Sequence, residues 1–129
     1  MKALKIDSVL LSDIGMKRKQ NQDSGVIRPE LGLFMVADGM GGHQGGEIAS
    51  KLCVEKVAEH VKEHNKDDLE SETLLHQSLL VANQAIYDHS QQDQNLHGMG
   101  TTATVLQIRK KQATIMQIGD SRCYYWNAH

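Results

Sequence analysis

Residues 33–46 of the chain read LFMVADGMGGHQGG. The first five of them are uninterrupted apolar residues, a pattern that predicts a strand buried on both faces at residues 33–37. A carboxylate, Asp38, follows this strand, and five glycines stand within the next eight residues, before a helical pattern begins at Glu47. A carboxylate is a hard ligand, and glycines let backbone carbonyl oxygens approach an ion closely. The stretch therefore indicates a cation site at a strand-to-helix turn.

The same composition also fits a tight glycine turn without a ligand, because a glycine-rich loop is by itself a weak signal. Spacing excludes two phosphate-binding loops. A Walker loop ends in Gly-Lys-Ser/Thr, but no lysine follows the glycines before Lys51. The dinucleotide fingerprint needs a sixth-position glycine, where counting from Gly39 gives Gln44.

The totals describe a globular chain of 129 residues, one domain or part of one, with 40% hydrophobic and 23% charged residues. A net charge of -2 argues against nucleic acid and anionic membrane as partners. Cys53 and Cys123 each lie in an apolar segment and fit reduced thiols. Neither a signal peptide nor an apolar run approaching the ~20 residues of a membrane span is found. These features predict a soluble cytoplasmic protein.

Apolar periodicity predicts strands on both sides of two helices, which is an α+β fold with an antiparallel sheet. The predicted strands are residues 4–14, 25–27, 33–37, 102–108, 113–118 and 123–126. The predicted helices are residues 44–64 and 71–90. In the first helix His60 and His64 lie one turn apart with Glu63 between them; the pair could contact a metal ion, but a solvated helix end explains it more simply.

Three acids stand at predicted strand ends or in loops beside glycine or small polar residues: Asp23, Asp38 and Asp120. Acids that are separated in sequence can converge at one sheet edge, as a two-metal hydrolytic site requires. Arg18 precedes Asp23 by five residues and offers a planar donor fork suited to phosphate oxygens. Each of these residues taken alone also fits a turn residue or a surface charge.

Four motifs occur in one order along the chain: SDIGMKRKQNQD at 12–23, VADGMGGH at 36–43, GMGTT at 98–102 and IGDSR at 118–122. Together they resemble the metal-dependent serine/threonine protein phosphatases, the PPM family, in their bacterial form. The resemblance extends from Ser12 to Trp126. Gln22 departs from it, because many members carry glutamate at that position.

The resemblance implies an α-β-β-α sandwich, two antiparallel sheets flanked by helix pairs, with two Mn²⁺ or Mg²⁺ ions between the sheets. Asp38 would bridge both ions, Gly39 would offer its backbone carbonyl to the second, and Asp23 would hold metal-bound waters. Asp120 matches the acid that helps to hold a weaker third ion, and Arg18 would bind the substrate phosphate. The implied activity is hydrolysis of phosphoserine and phosphothreonine in proteins by a metal-bound hydroxide.

The family pattern also has later Ser-Asp-Gly and Asp-Asn motifs, whereas no acid follows Asp120 in this sequence. Residues 1–129 are therefore expected to form a single, incomplete phosphatase domain that lacks the C-terminal strands and helices. Such a chain would be short of metal ligands, could be inactive alone, and could self-associate through open sheet edges. The alternative is a non-catalytic interaction module, a remnant phosphatase fold that binds a protein partner.

Overall fold

A computed structural model of the chain describes residues 4–16, 20–42 and 44–128. Within these residues the chain forms one antiparallel sheet and two long helices, which confirms the predicted α+β class. The strands are β1 (Asp23–Arg28), β2 (Leu33–Met40), β3 (Gly100–Thr101), β4 (Ala103–Arg109) and β5 (Gln112–Ile118). The helices are α1 (Gly45–His64) and α2 (Ser71–Gln91), and 3-10 turns occur at Pro29–Leu31 and Gln94–Leu96. No helix of the described segments is both long enough and apolar enough to cross a membrane.

The sheet has the strand order β1-β2-β4-β5, and the two-residue strand β3 pairs with the end of β2. A tight turn joins β1 to β2 and needs glycine at position 32. Gly32 has a positive φ of 61°, and a Cβ atom there would lie 2.1 Å from the Ile108 carbonyl oxygen. The turn sets the β1–β2 register, which places Asp23 opposite Asp38.

The core lies between the two helices and one face of the sheet. Alternate residues of β2, Leu33 and Met35, are buried on this face, and Val105 of β4 lies opposite Met35. Val57 and Val61 of α1 are fully buried in the same cluster. The helices pack beside each other and cover this face, as the apolar periodicity predicted.

The other face of the sheet is apolar but only partly covered. Phe34 is half-buried, while Val36 and Ile115 are 46% and 49% exposed. Part of the N-terminal segment lies along this face, where Leu10 lines a cleft of about 330 Å³ together with Phe34 and Leu106. The described residues thus form one helix layer and one sheet layer.

Two predicted strands, residues 4–14 and 123–126, are wrong, since neither segment forms a strand in the structure. A strand is stable only when its backbone groups pair with a neighbouring strand, and the described residues provide no such neighbour for either segment. The apolar side chains that suggested the second one remain in solvent, with Trp126 82% exposed.

Candidate metal centre

Asp23 of β1 and Asp38 of β2 are direct cross-strand neighbours. The backbone N–H and C=O of Asp38 both bond towards Thr102 on the other side, so Asp23 and Asp38 form a non-hydrogen-bonded pair. In such pairs the two Cα atoms are about 4.5 Å apart and the side chains are close. The two carboxylates stand on the sheet face away from the helices and line a cleft of about 190 Å³ with Ser12 and Ser121.

Two facing carboxylates repel each other, and a bound cation offsets that repulsion. Asp38 is half-buried and Asp23 is exposed, so the cleft is open to ions from solvent. Carboxylate oxygens are the ligands that Mg²⁺ and Mn²⁺ prefer. The chemistry of this donor pair therefore fits a hard divalent cation.

Thr102 holds the backbone of Asp38 from the neighbouring chain segment. The Asp38 N–H donates to the Thr102 side-chain oxygen Oγ1 at 3.0 Å, and the Thr102 N–H donates to the Asp38 carbonyl at 2.9 Å. Thr102 is buried, and its Oγ1 also shares a 3.0 Å hydrogen bond with Ser121 Oγ. This network connects Asp38 to the turn that carries Asp120.

Gly39, the predicted carbonyl ligand, lies in a closely packed backbone environment. A Cβ atom at Gly39 would stand 1.9 Å from the Gly46 carbonyl oxygen, and a Cβ at Gly46 would stand 2.6 Å from the side-chain carbon Cδ of Gln22. The Gly39 N–H donates to the Gln22 carbonyl at 3.1 Å, and the Gln22 amide donates to the Gly41 carbonyl at 3.2 Å. The glycines therefore serve close packing at the turn between β2 and α1.

Ser50 connects the start of α1 to the start of β1. Its buried hydroxyl donates to the Gln22 carbonyl at 2.7 Å and shares a 2.8 Å hydrogen bond with Ser24 Oγ. Sequence reasoning did not assign a role to Ser50, and no local signal marks it, because the contact joins residues 28 positions apart. Thr102 belongs to the quoted GMGTT motif, but the motif did not indicate its contact with Asp38, which joins residues 64 positions apart.

The structure brings together some of the predicted site residues. Asp23 and Asp38 share the cleft, and Gly39 follows Asp38 directly. Asp120 is exposed and is not among the residues that line the cleft, although its neighbour Ser121 is. Arg18, the predicted phosphate ligand, lies outside the described residues.

The described part of the chain contains no group of three or more His, Cys, Asp or Glu side chains arranged to hold a metal ion. A divalent cation such as Mg²⁺ takes about six oxygen ligands, so Asp23, Asp38 and the Gly39 carbonyl would supply only part of a shell. His60 and His64 instead contact each other with tilted rings whose centroids are 4.4 Å apart, and His64 Nδ1 lies 2.8 Å from Asp67 Oδ2.

Comparison with known proteins identifies the family to which the chain belongs. A family model described as protein phosphatase 2C matches residues 17–129. The protein phosphatase PhpP of Streptococcus pneumoniae is 40% identical over 118 residues, which cover 88% of this chain and 47% of PhpP.

Comparison with solved structures indicates the same family. The Mycobacterium tuberculosis serine/threonine phosphatase PstP/Ppp superposes with a TM-score of 0.75 at 35% identity, covering 87% of this chain and 46% of that one. A structure of the PstP catalytic domain, described as a complex with two manganese ions, gives a TM-score of 0.73 at 34% identity, with 87% and 47% covered. The chain spans about half the length of the relatives that it matches.

Proposed function

Because the chain belongs to the protein phosphatase 2C family, we propose that the protein hydrolyses phosphomonoesters on serine and threonine residues of phosphoproteins, with Mn²⁺ or Mg²⁺ as cofactor. Support comes from the phosphatases that it resembles, one of which is described as a complex with two manganese ions. The chain spans about half of those proteins, so the proposal concerns the activity of a complete phosphatase domain that contains these residues, called here the full-length protein.

The observation that carries the proposal is the paired placement of Asp23 and Asp38 beside the packed glycines. In this assignment the Asp38 carboxylate, the Gly39 carbonyl and Asp23, the last through bound water, would be the groups that hold the divalent cations. The β1–β2 register supports this assignment because it makes the two acids neighbours. Divalent cations, when bound, activate water at neutral pH and offset the charge of phosphoryl oxygens.

The chain's own residues would also orient the substrate. Arg18 is proposed to hold the substrate phosphate through a bidentate donor fork, which fits phosphate oxygens better than a lysine does. Asp120, in the turn that the Ser121–Thr102 hydrogen bond holds, is proposed to help bind a weaker third ion. Rigid placement of these groups matters because small displacements misalign an in-line displacement at phosphorus.

We further propose that residues 1–129 form part of one phosphatase domain, since the matched relatives are about twice as long. β1 and β5 end the strand order of the described sheet. Unpaired strand edges and the partly exposed face around Val36 and Ile115 would favour self-association of a chain limited to these residues.

The test is hydrolysis of p-nitrophenyl phosphate and of a phosphothreonine peptide by the full-length protein, with Mn²⁺ or with a chelator. We expect turnover only with the metal, and a loss of at least about 100-fold in Asp38→Asn. Asp68→Asn, which changes an exposed acid between the helices, is the matched control and should keep full activity. A full-length protein that binds a protein partner but shows no metal-dependent turnover would instead support the non-catalytic module.

A further inference from the structure

We propose that Thr102 is a positioning residue for the metal centre, whose side-chain hydroxyl fixes the Asp38 backbone and ties it to the turn that carries Asp120. The inference rests on the proposed function and assigns a role to the GMGTT motif. It follows from hydrogen bonds and close packing around a single buried threonine.

The pairing of β2 with its neighbours is interrupted at Asp38. β2 pairs with β4 from Leu33 to Val36 and with β3 at Gly39 and Met40, so Asp38 falls between the two ladders. In a regular antiparallel pair the two residues exchange both backbone N–H···O bonds. Here the Thr102 N–H donates to the Asp38 carbonyl, but the Asp38 N–H donates to the Thr102 side chain.

The Thr102 hydroxyl thus replaces a backbone carbonyl at the aspartate that is proposed to bridge the ions. The Thr102 carbonyl itself accepts a hydrogen bond from the Thr101 hydroxyl at 2.8 Å. The Thr102 side chain has few χ1 rotamers, so its hydroxyl can hold the Asp38 backbone N–H at the point where the strand ladder is interrupted. A side-chain hydroxyl, rather than the backbone of a neighbouring strand, therefore accepts the hydrogen bond from the Asp38 N–H.

Thr102 also contacts the turn at residues Gly119–Ser121. Thr102 Oγ1 shares a 3.0 Å hydrogen bond with Ser121 Oγ, on the residue after Asp120. The Thr102 methyl carbon Cγ2 lies 2.7 Å from where a Cβ atom of Gly119 would stand, and Gly119 has a positive φ of 95°. Both the hydroxyl and the methyl group of Thr102 therefore contact the turn that carries Asp120.

Some residues do not bind a metal ion themselves but hydrogen-bond to its ligands and fix their orientation. Replacing such a residue commonly changes the metal affinity 10- to 100-fold. Replacing Thr102 by valine keeps the shape and removes the hydroxyl, which leaves the Asp38 N–H without its acceptor. We expect Thr102→Val to weaken Mn²⁺ binding by about tenfold or more. Thr102→Ser restores the hydroxyl and should restore most of the affinity.

Thr104 provides a matched control two residues along the chain. It is buried like Thr102, but its Oγ1 makes no hydrogen bond within the described residues. Thr104→Val makes the same chemical change without removing a contact, so its Mn²⁺ affinity should equal that of the wild type. Ser121→Ala removes only the partner hydroxyl and should weaken binding less than Thr102→Val does.

The experiment measures two quantities in the full-length protein: the Mn²⁺ dissociation constant by calorimetry, and hydrogen exchange at the Asp38 amide without metal. The proposal predicts faster Asp38 exchange and weaker binding in Thr102→Val, with both restored in Thr102→Ser. If Thr102→Val does not fold, Ser121→Ala carries the test. Unchanged affinity in Ser121→Ala would then contradict the tie to the Asp120 turn.

The two proposals fail in different ways. A wild-type protein that binds no Mn²⁺ contradicts the proposed function and this inference with it. A wild type that binds Mn²⁺, beside a folded Thr102→Val protein with equal affinity and equal Asp38 exchange, contradicts the positioning role alone.

Discussion

Gly39 and Gly46 lie in backbone-to-backbone contact, so that a Cβ atom at Gly39 would stand 1.9 Å from the Gly46 carbonyl oxygen. The contact joins the end of β2 to the first turn of α1. Close packing alone therefore requires glycine at the position after Asp38, whether or not the Gly39 carbonyl binds a metal ion.

Gly39→Ala should destabilise the protein by about 3 kcal/mol, because the added methyl group forces the strand and the helix apart. Urea denaturation measures the effect. Gly42→Ala, three residues along the chain and beyond the end of β2, is the control, since a Cβ at Gly42 meets nothing within 4 Å, and it should change stability little. Equal stability of the two variants would show that the contact is not tight in solution.

The hairpin between β4 and β5 contains two strained lysines. Lys110 and Lys111 have positive φ angles of 53° and 64°, a conformation that costs residues other than glycine and asparagine about 1–2 kcal/mol. Lys111→Gly should therefore raise the free energy of unfolding by about 0.5–1 kcal/mol. Gln112→Gly, one residue further and inside β5, should lower it. Thermal unfolding of both variants measures the difference, and a destabilised Lys111→Gly protein would refute the strain.

The Cys53 thiol is buried in α1, and burial raises its pKa from an ordinary 9.0 to about 11. The fold favours the neutral thiol, so its contribution to stability is complete below about pH 9 and is lost as the pH rises towards 11. Between pH 8 and pH 10, the free energy of unfolding of the wild type should fall by on the order of 1 kcal/mol more than that of Cys53→Ala. Parallel pH profiles of the two proteins, measured by urea unfolding, would contradict this. The exposed Cys123 provides the control variant Cys123→Ser, which should follow the wild type.

A polypeptide limited to residues 1–129 should bind Mn²⁺ weakly and hydrolyse phosphomonoesters slowly or not at all. Its described cleft offers the carboxylates of Asp23 and Asp38, fewer ligands than a two-ion site needs. The comparison is a Mn²⁺-dependent assay of this polypeptide beside the full-length protein. Comparable turnover of the two would contradict the expectation.

Sequence patterns predicted the elements whose signals are long and self-contained. Both helices and the strands at residues 102–108 and 113–118 form close to their predicted bounds. The core buries an apolar face of both helices and of β4, whereas no residue of β5 is fully buried. The strand predicted at residues 33–37 extends to Met40, so that Asp38 lies within β2, and it is buried on one face rather than on both. The strands at residues 4–14 and 123–126 were wrong because strand formation depends on a partner strand, which local composition does not report.

Sequence reasoning found the site residues only in part. The short turn between β1 and β2 makes the adjacency of Asp23 and Asp38 a consequence of hairpin register, so it could be predicted. The Thr102 hydroxyl bond to Asp38 could not, because it joins residues 64 positions apart across an interrupted ladder. A threonine in that position looks like any strand residue until the backbone is placed.

The role of Asp38 is tested most directly by Mn²⁺ titration calorimetry on the full-length protein and on Asp38→Asn, which keeps the shape of the side chain and removes its charge. We expect the wild type to bind Mn²⁺ and Asp38→Asn to lose measurable binding, while Asp68→Asn binds as the wild type does. Unchanged Mn²⁺ affinity in a folded Asp38→Asn protein would contradict the assignment of this aspartate as the centre of the metal site.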